Sequence, residues 1–418
     1  MSTGGVGLYI HVPFCTTKCG YCDFYSLPLA DRSTAPLVEC LIQELERRAR
    51  AYAGRVSTVF IGGGTPTLLP PDDLRRLLET VAGMLGPDRV DEFTVEANPA
   101  TLDPTKAAIL VEAGVDRISF GAQSFHPGEL AALERIHDPD DVERSIVVAR
   151  NAGLSRINLD LIFGIPTQTL ESWDVSITRA LDLRPDHLAL YGLTYEPGTA
   201  LTAQYKRGQV QSCDEELERA MYNHAIDRLA DAGFEHYEIS NFARPGQRCR
   251  HNVAYWRNAE YVGFGPSAAS FLDRRRLRNV ANLTEYVRRM HTDGEAIDES
   301  ERLEPLAFAG ETAMLSLRMT DGIEAAGFAS TTGYDPFVLF AEPIRRHTAA
   351  GLLATDNHRI RLTRAGLCVA DAVMADFLDP TAPNENTLVR ESFLAPTEAG
   401  ILSRVVTRQG NRHGDQVN

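Results

Sequence analysis

Three cysteines, Cys15, Cys19 and Cys22, stand within eight residues in the spacing Cys-x3-Cys-x2-Cys. Thiolates are the usual ligands of iron–sulfur clusters. Three of them on one loop can hold three irons of a cubane and leave the fourth iron open to an amino-carboxylate ligand such as a methionine. The competing reading is a structural zinc site with His11 as fourth ligand. Zinc sites usually gather two separated ligand pairs, and no second pair is evident. The chain has seven cysteines. An odd number in a chain of this size argues against a disulfide framework and for metal or catalysis in a reducing compartment. Cys40, Cys213 and Cys368 read as small buried side chains. Cys249, two residues before His251, is left open.

Further residues with chemical capacity recur along the first half of the chain. They are Gly62-Gly63-Gly64-Thr65-Pro66-Thr67, Glu96-Ala97-Asn98-Pro99, Gly121 with Gln123-Ser124-Phe125, Asp160 followed by Gly164-Ile165-Pro166, and Thr194 with Glu196-Pro197. The glycine run lets a backbone approach a ligand closely. It is not a Walker A loop, because the Lys-Ser/Thr ending is missing. Alone, it would read as a tight turn. His251-Asn252-Val253-Ala254-Tyr255-Trp256 adds an imidazole flanked by flat aromatics. That set suits an axial iron ligand against a macrocycle, but also a loop histidine with packing anchors.

The elements that must position these residues alternate. Short apolar runs at 8–12, 58–61, 92–96, 117–120, 156–162 and 187–191 read as strands. Helical patterns lie at 36–52, 72–85, 103–113, 140–152 and 170–183. A further helix is expected at 214–232, then a short strand near 237–239. Six βα units in series predict a parallel α/β sheet with crossover helices. Two more units would be needed for a closed barrel, so an incomplete parallel (β/α)6 barrel, open on one side, is expected. Each strand delivers its polar or glycine-rich residues to its carboxyl end, where such folds place their sites. We read residues 1–270 as this barrel with the His251 segment, 271–300 as a connector, 301–378 as a small, mostly helical or winged-helix-like domain, and 379–418 as a disordered tail.

Hydrophobic residues make up 44% and charged residues 24%, with a net charge of −15. The acidic balance disfavours nucleic acid as a partner, because no basic excess releases counterions. The N-terminus does not read as a signal peptide, and no apolar run is long enough for a membrane span, so a cytoplasmic location is expected.

The combined motifs resemble the HemN/HemW branch of radical S-adenosylmethionine (SAM) proteins from about residue 8 to 377. The resemblance rests on Tyr9-Ile10-His11-Val12-Pro13-Phe14-Cys15, the cysteine loop, Gly62–Thr67, Glu96-Ala97-Asn98-Pro99, Gly121-Ala122-Gln123-Ser124-Phe125 and Asn158-Leu159-Asp160-Leu161-Ile162. It implies a radical SAM barrel with a 4Fe-4S cluster on Cys15, Cys19 and Cys22. Tyr9, Gly63 and Glu96 match family positions around SAM, and Tyr21 an aromatic position near a ligand. Gly64, Thr65, Gln123, Arg135 and Asp160 match positions around a second SAM. An ion pair between Arg135 and Asp160 closing the barrel mouth is the alternative for those two. Cys22-Asp23-Phe24 lacks the extra cysteine of the oxidases, whereas His251–Trp256 matches the His-Asn-x-x-Tyr-Trp of the HemW heme chaperones. Gly265-Pro266-Ser267-Ala268-Ala269-Ser270 departs from that type, with Ala269 where a histidine is usual. The resemblance thus implies a porphyrin-handling protein that binds heme, with His251 as ligand, and passes it to a heme-accepting protein, with peripheral membrane contact. Its alternative is a radical SAM enzyme of the oxygen-independent coproporphyrinogen III oxidase or methyltransferase type, in which cleaved SAM would supply a hydrogen-abstracting radical. Activity on coproporphyrinogen III is not expected.

Overall fold

The computed structural model describes residues 5–52, 54–85 and 90–380. The tail expected to be disordered lies, from residue 381 on, outside the described residues. Six strands run parallel: β1 Val6–Val12, β2 Val56–Gly63, β3 Glu92–Ala97, β4 Arg117–Gln123, β5 Arg156–Phe163 and β6 His187–Gly192. They lie side by side in sequence order within a twelve-stranded sheet. Val6, Leu8, Ile10 and Val12 fill one face of β1, and Gly7, Tyr9 and His11 alternate onto the other. The crossover helices are α1 Ala35–Arg48, α2 Pro71–Leu85, α3 Pro104–Glu112, α4 Pro139–Ala152 and α5 Leu170–Asp182, and a further helix, α6 Glu215–Asp231, follows β6. Local chemistry starts and stops them. Asp103 caps α3 by accepting from Lys106 N at 2.9 Å, Asp138 and Asp141 form a capping box on α4, and Gly153 ends α4 at φ +105°.

The sheet does not close. Asn241–Ala243 pairs antiparallel with β6, and Glu235–Glu238 lies beyond it at one edge. At the other side Tyr261–Phe264 pairs parallel with β1. Residues 271–300, expected as a connector, continue this sheet. Arg275–Asn279 pairs with Ala269–Leu272 on one side and Ile297–Arg302 on the other, and helix α8 Leu283–Thr292 packs on α1. The charged strand sequence Arg275-Arg276-Leu277-Arg278 conceals this, because Arg276 and Arg278 meet Glu301 and Glu299 across the ladder, and Arg276 also meets Glu311 from the helix Pro305–Arg318.

The C-terminal region is mostly helical. Helix α9 Pro305–Arg318 packs with a three-stranded antiparallel sheet of Ile323–Glu324, Arg359–Leu362 and Leu353–Thr355 over a separate core that includes Leu317, Phe328, Phe340, Ile360 and Phe377. Its backbone is stitched to the barrel edge: Ile239 N donates to Arg318 O and Thr320 N to Tyr237 O, at 3.0 and 3.1 Å. Arg257 adds a forked pair to Asp321, both bonds 2.6 Å.

Candidate functional site

The cysteine loop leaves the carboxyl end of β1 and is pinned by its own backbone. Leu27 N donates to Pro13 O and Leu29 N to Cys15 O, at 2.7 and 2.8 Å. His11 holds the loop from inside. Burial pushes its pKa down to about 4, so the ring is neutral and carries one proton. Only a donor can pair with a carbonyl, so Nε2–H donates to Tyr25 O at 2.8 Å, and Nδ1 accepts from Tyr9 OH at 2.9 Å. With both nitrogens engaged, His11 is not a fourth metal ligand. Among the described residues, no three His, Cys, Asp or Glu side chains converge on a single metal ion. The thiols of Cys15, Cys19 and Cys22 instead spread around one wall of a shared cavity of about 950 Å³. Burial raises the Cys15 thiol pKa, with Arg135 among the groups opposing the rise, and Arg135 Nη1 lies 3.5 Å from Cys19 Sγ. Three thiols with a cationic donor beside them suit a cluster with one open iron.

The second strand, paired alongside β1, supplies the adjoining wall, with Thr65 N donating to Phe14 O at 2.7 Å. Gly63 sits at φ +104°, and a Cβ there would run into the His11 ring. Its N–H donates to Glu96 Oε2 at 3.0 Å. A side chain on Gly64 would collide with the Phe14 carbonyl. Gly63, Gly64, Thr65, Glu96, Gln123, Arg135, Asp160 and Tyr21 all line the cavity with the three cysteines. Tyr9 does not. Its phenol bonds His11, and its ring stacks on Phe60, 6.3 Å between centroids. Gln123 ends β4 at φ +63°, a conformation rare for a side-chain-bearing residue. Arg135 and Asp160 do not pair with each other. Arg135 donates to Gly121 O and Asn98 Oδ1, whereas Asp160 accepts from Asn158 Nδ2 at 2.7 Å and Ser119 Oγ at 3.3 Å. Burial, then the neighbouring Asp160, pushes Glu96 up to about 7, while burial pushes Asp160 up to about 6. A cavity that holds two carboxyls this close to neutral favours a ligand bringing positive charge or hydrogen-bond donors.

His251 is not on an exposed loop. It lies on the short helix α7 Arg250–Trp256, 2% exposed, beneath the cavity. Its Nδ1 pairs with Thr58 Oγ1 at 2.8 Å, and its ring stacks on Phe60 at 5.2 Å and meets Tyr255 edge-on. Burial lowers its pKa to about 4, and Nε2 has no partner. Glu92 anchors the helix start, accepting from Arg250 N, His251 N and Cys249 Sγ. Cys249 is thereby accounted for as a buried thiol away from the cluster loop. Asn252, not His251, reaches the cavity wall. Ala269 lies in a strand opposite Arg278 and does not line the cavity, so the departure there leaves the site untouched.

Sequence reasoning missed several wall residues. Phe60 and Tyr191 extend from β2 and β6; Tyr191 is 43% exposed, and that exposure opens into the cavity. Arg117, at the start of β4, is buried and makes no side-chain hydrogen bond to any described residue. Burial opposes its charge, but Cys249, Glu92, Tyr237 and Asp160 around it hold it protonated. A cation opening an apolar strand was the available signal. Arg318, from the C-terminal region, also reaches the wall, and no local pattern marks it.

Comparison with known proteins gives a consistent picture. The Radical SAM superfamily matches residues 9–180, and the HemN C-terminal domain matches residues 303–369. The chain is similar to the heme chaperone HemW of Bacillus subtilis (strain 168), 34% identical over 88% of this chain and 98% of that protein. HemW of Escherichia coli (strain K12) is 39% identical over 65% of this chain and 72% of that protein. A mitochondrial radical SAM domain-containing protein 1 from Mus musculus is 33% identical over 89% of this chain and 87% of that protein. Among solved structures, the coproporphyrinogen III oxidase HemN from Escherichia coli superposes with a TM-score of 0.78 at 23% identity, over 89% of this chain and 90% of that one, which shows a shared fold.

Proposed function

The chain belongs to the HemW family of radical SAM proteins, and from that premise we propose that it is a cytoplasmic heme chaperone that binds heme and delivers it to an acceptor protein. The observation that carries the reading is one cavity onto which a three-thiol loop and a glycine–carboxylate wall both open. Cys15, Cys19 and Cys22 would hold a 4Fe-4S cluster. Gly63 and Glu96 would take the amine of SAM, with Tyr21 beside them and Tyr9 acting through His11. Gly64, Thr65, Gln123, Arg135 and Asp160 would hold the remainder of the ligand set. A cluster with SAM on its open iron supplies one-electron chemistry. The protein's own residues do the rest. Arg135 lays a cation beside Cys19, Glu96 fixes the Gly63 amide and presents its second oxygen to the ligand, and Phe60 and Tyr191 offer flat apolar surface. His251 is retained as the proposed heme ligand in its chemically apt form, neutral with Nε2 unpaired. Phe60 and Tyr255 pack against its ring, so the bond to iron would need one of them to move.

The test is a hemin titration followed by Soret absorbance on anaerobically reconstituted protein, with a coproporphyrinogen III assay on the same sample. Saturable hemin binding without turnover is expected. Many turnovers to protoporphyrinogen with no saturable hemin binding would overturn the chaperone reading and restore the oxidase.

A further inference from the structure

Four of the ten buried polar side-chain atoms that lack a partner among the described residues lie together. Glu238 Oε2, Asn241 Oδ1, Trp256 Nε1 and Arg318 Nε are all buried and unpaired. They gather where the last strands of the sheet, helix α7 and the C-terminal helix α9 meet. Asn241 donates to Glu238, Arg318 approaches Glu238 Oε2 only to 3.7 Å, and the Arg318 guanidinium lies over the Trp256 ring at 4.4 Å. That guanidinium makes no hydrogen bond to any described residue, although its backbone carbonyl is tied to the barrel by Ile239 N. Arg318 and Asn241 both line the large cavity, as does Asn252. Native proteins rarely leave buried polar atoms unmatched, and a concentration of them along a cavity wall marks where a ligand completes the set.

The charge balance decides the class of ligand. Glu238 is wholly buried, and burial raises its pKa despite Arg318 nearby. Glu238 Oε2 stops 3.7 Å from Arg318, beyond hydrogen-bond reach, so the guanidinium donors stay unspent among the described residues. Stacking on Trp256 fixes its plane and leaves its edge to donate. A planar fork of donors with a free edge is the complement of a carboxylate.

We propose that Arg318, flanked by Asn241 and Asn252 and held flat by Trp256, is a carboxylate subsite that grips a propionate of the tetrapyrrole where the C-terminal domain closes the barrel cavity. The inference rests on the heme reading above. It gives the second half of the His251–Trp256 motif a task separate from His251, with Trp256 as a positioning residue. It also explains why a cavity built on the barrel borrows a wall from the next domain.

The experiment compares hemin with hemin dimethyl ester, in which both carboxylates are masked, on the full chain with its cluster reconstituted. Wild-type protein should bind hemin about tenfold to a hundredfold more tightly than the ester, the range for hydrogen bonds to a charged group. Arg318→Gln should weaken hemin and erase that preference, Arg318→Lys should keep part of it, and Trp256→Phe should reduce it. The ratio of the two affinities is the readout, because general loosening of the fold lowers both alike. If Arg318→Gln does not fold, Arg318→Lys and Trp256→Phe carry the test. SAM binding, read from the electron paramagnetic resonance of the reduced cluster, should not change in any variant. Equal wild-type affinity for hemin and ester, an unchanged ratio in folded variants, or a loss confined to SAM would overturn the subsite while leaving heme binding intact. Wild-type protein that binds neither compound would overturn the heme reading and the subsite with it.

Discussion

Replacing His251 by Ala separates two accounts of the motif that carries it. A loop histidine that only ligates iron would cost the fold under about 0.5 kcal/mol when truncated. The observed environment demands more. Truncation removes the 2.8 Å bond to Thr58 and leaves that buried hydroxyl unpaired, a loss of about 1–3 kcal/mol. It also removes the stack on Phe60 and the edge contact with Tyr255, each about 0.5–1.5 kcal/mol. The expected cost is about 3–4 kcal/mol, which lowers the melting midpoint by roughly 5–10 °C in a domain of this size. The assay is thermal unfolding by circular dichroism, run on wild type, His251→Ala and His251→Gln, with a hemin titration of each. His251→Gln can still bond Thr58 and should recover a large part of the stability. Lost hemin binding in His251→Gln at near-normal stability would establish the axial bond. An unchanged midpoint in His251→Ala would refute the buried placement and everything argued from it.

Three other outcomes follow from the same geometry. Single Ala substitutions at Cys15, Cys19 or Cys22 should lower chemically assayed iron from about four per chain toward zero, and stoichiometric zinc in wild-type protein purified without oxygen would contradict the cluster. Glu96→Gln should weaken SAM by about tenfold or more with iron content unchanged, because a neutral amide keeps the Gly63 bond but loses the charge; equal SAM-induced spectra would exclude that role. Burial pushes His11, His137, His236 and His251 each down to about 4. Below pH 6.5 the unfolded chain takes up protons that the folded chain refuses, so their stabilisation is present above about 6.5 and lost as pH falls toward 4. Glu96 and Asp160, raised to about 7 and 6, act in the opposite sense over part of that range. Burial lowers His187 as well and raises Glu218 and Glu238; the five histidines outweigh the four carboxyls, and melting midpoints of the cluster-free protein should drop from pH 6.5 to 4, so a flat or rising profile would contradict the burial of the histidines.

The barrel was legible because each parallel strand is a short apolar run, and five of the six carry a glycine, an acid or an amide at or beside the carboxyl end, while the first ends in His11-Val12 and runs into the cysteines. The cavity followed from it, since the carboxyl ends of neighbouring strands share a rim. What hid was whatever the rim borrows from afar. Residues 275–279 look like a charged surface loop until Glu299, Glu301 and Glu311 are set against them. His251 looks exposed because its helix spans only Arg250–Trp256 and opens with an arginine. Its burial depends on Glu92 and Thr58, more than 150 residues upstream. Tyr9 shows the converse case. Its spacing before the cysteines is right for the site, and its register puts it on the face of Phe60, but its phenol is taken by His11 and it does not line the cavity.

The pairing of β1 with Tyr261–Phe264 sets a timetable. Gly7 faces Tyr261, and Gly7 N donates to Glu260 O, so one flank of the first strand stays bare until some 250 further residues have been made. The loop behind it waits longer still, because Tyr25 OH is capped by the amide of Leu283. At about 5–20 residues per second on a ribosome, that delay is on the order of tens of seconds. For that interval the three thiols hang on an unfinished scaffold, open to oxygen and to stray metal ions. Loading of the proposed cluster would therefore come late in the life of the chain, and holdase protection of the nascent N-terminal third should raise the yield of iron-loaded protein.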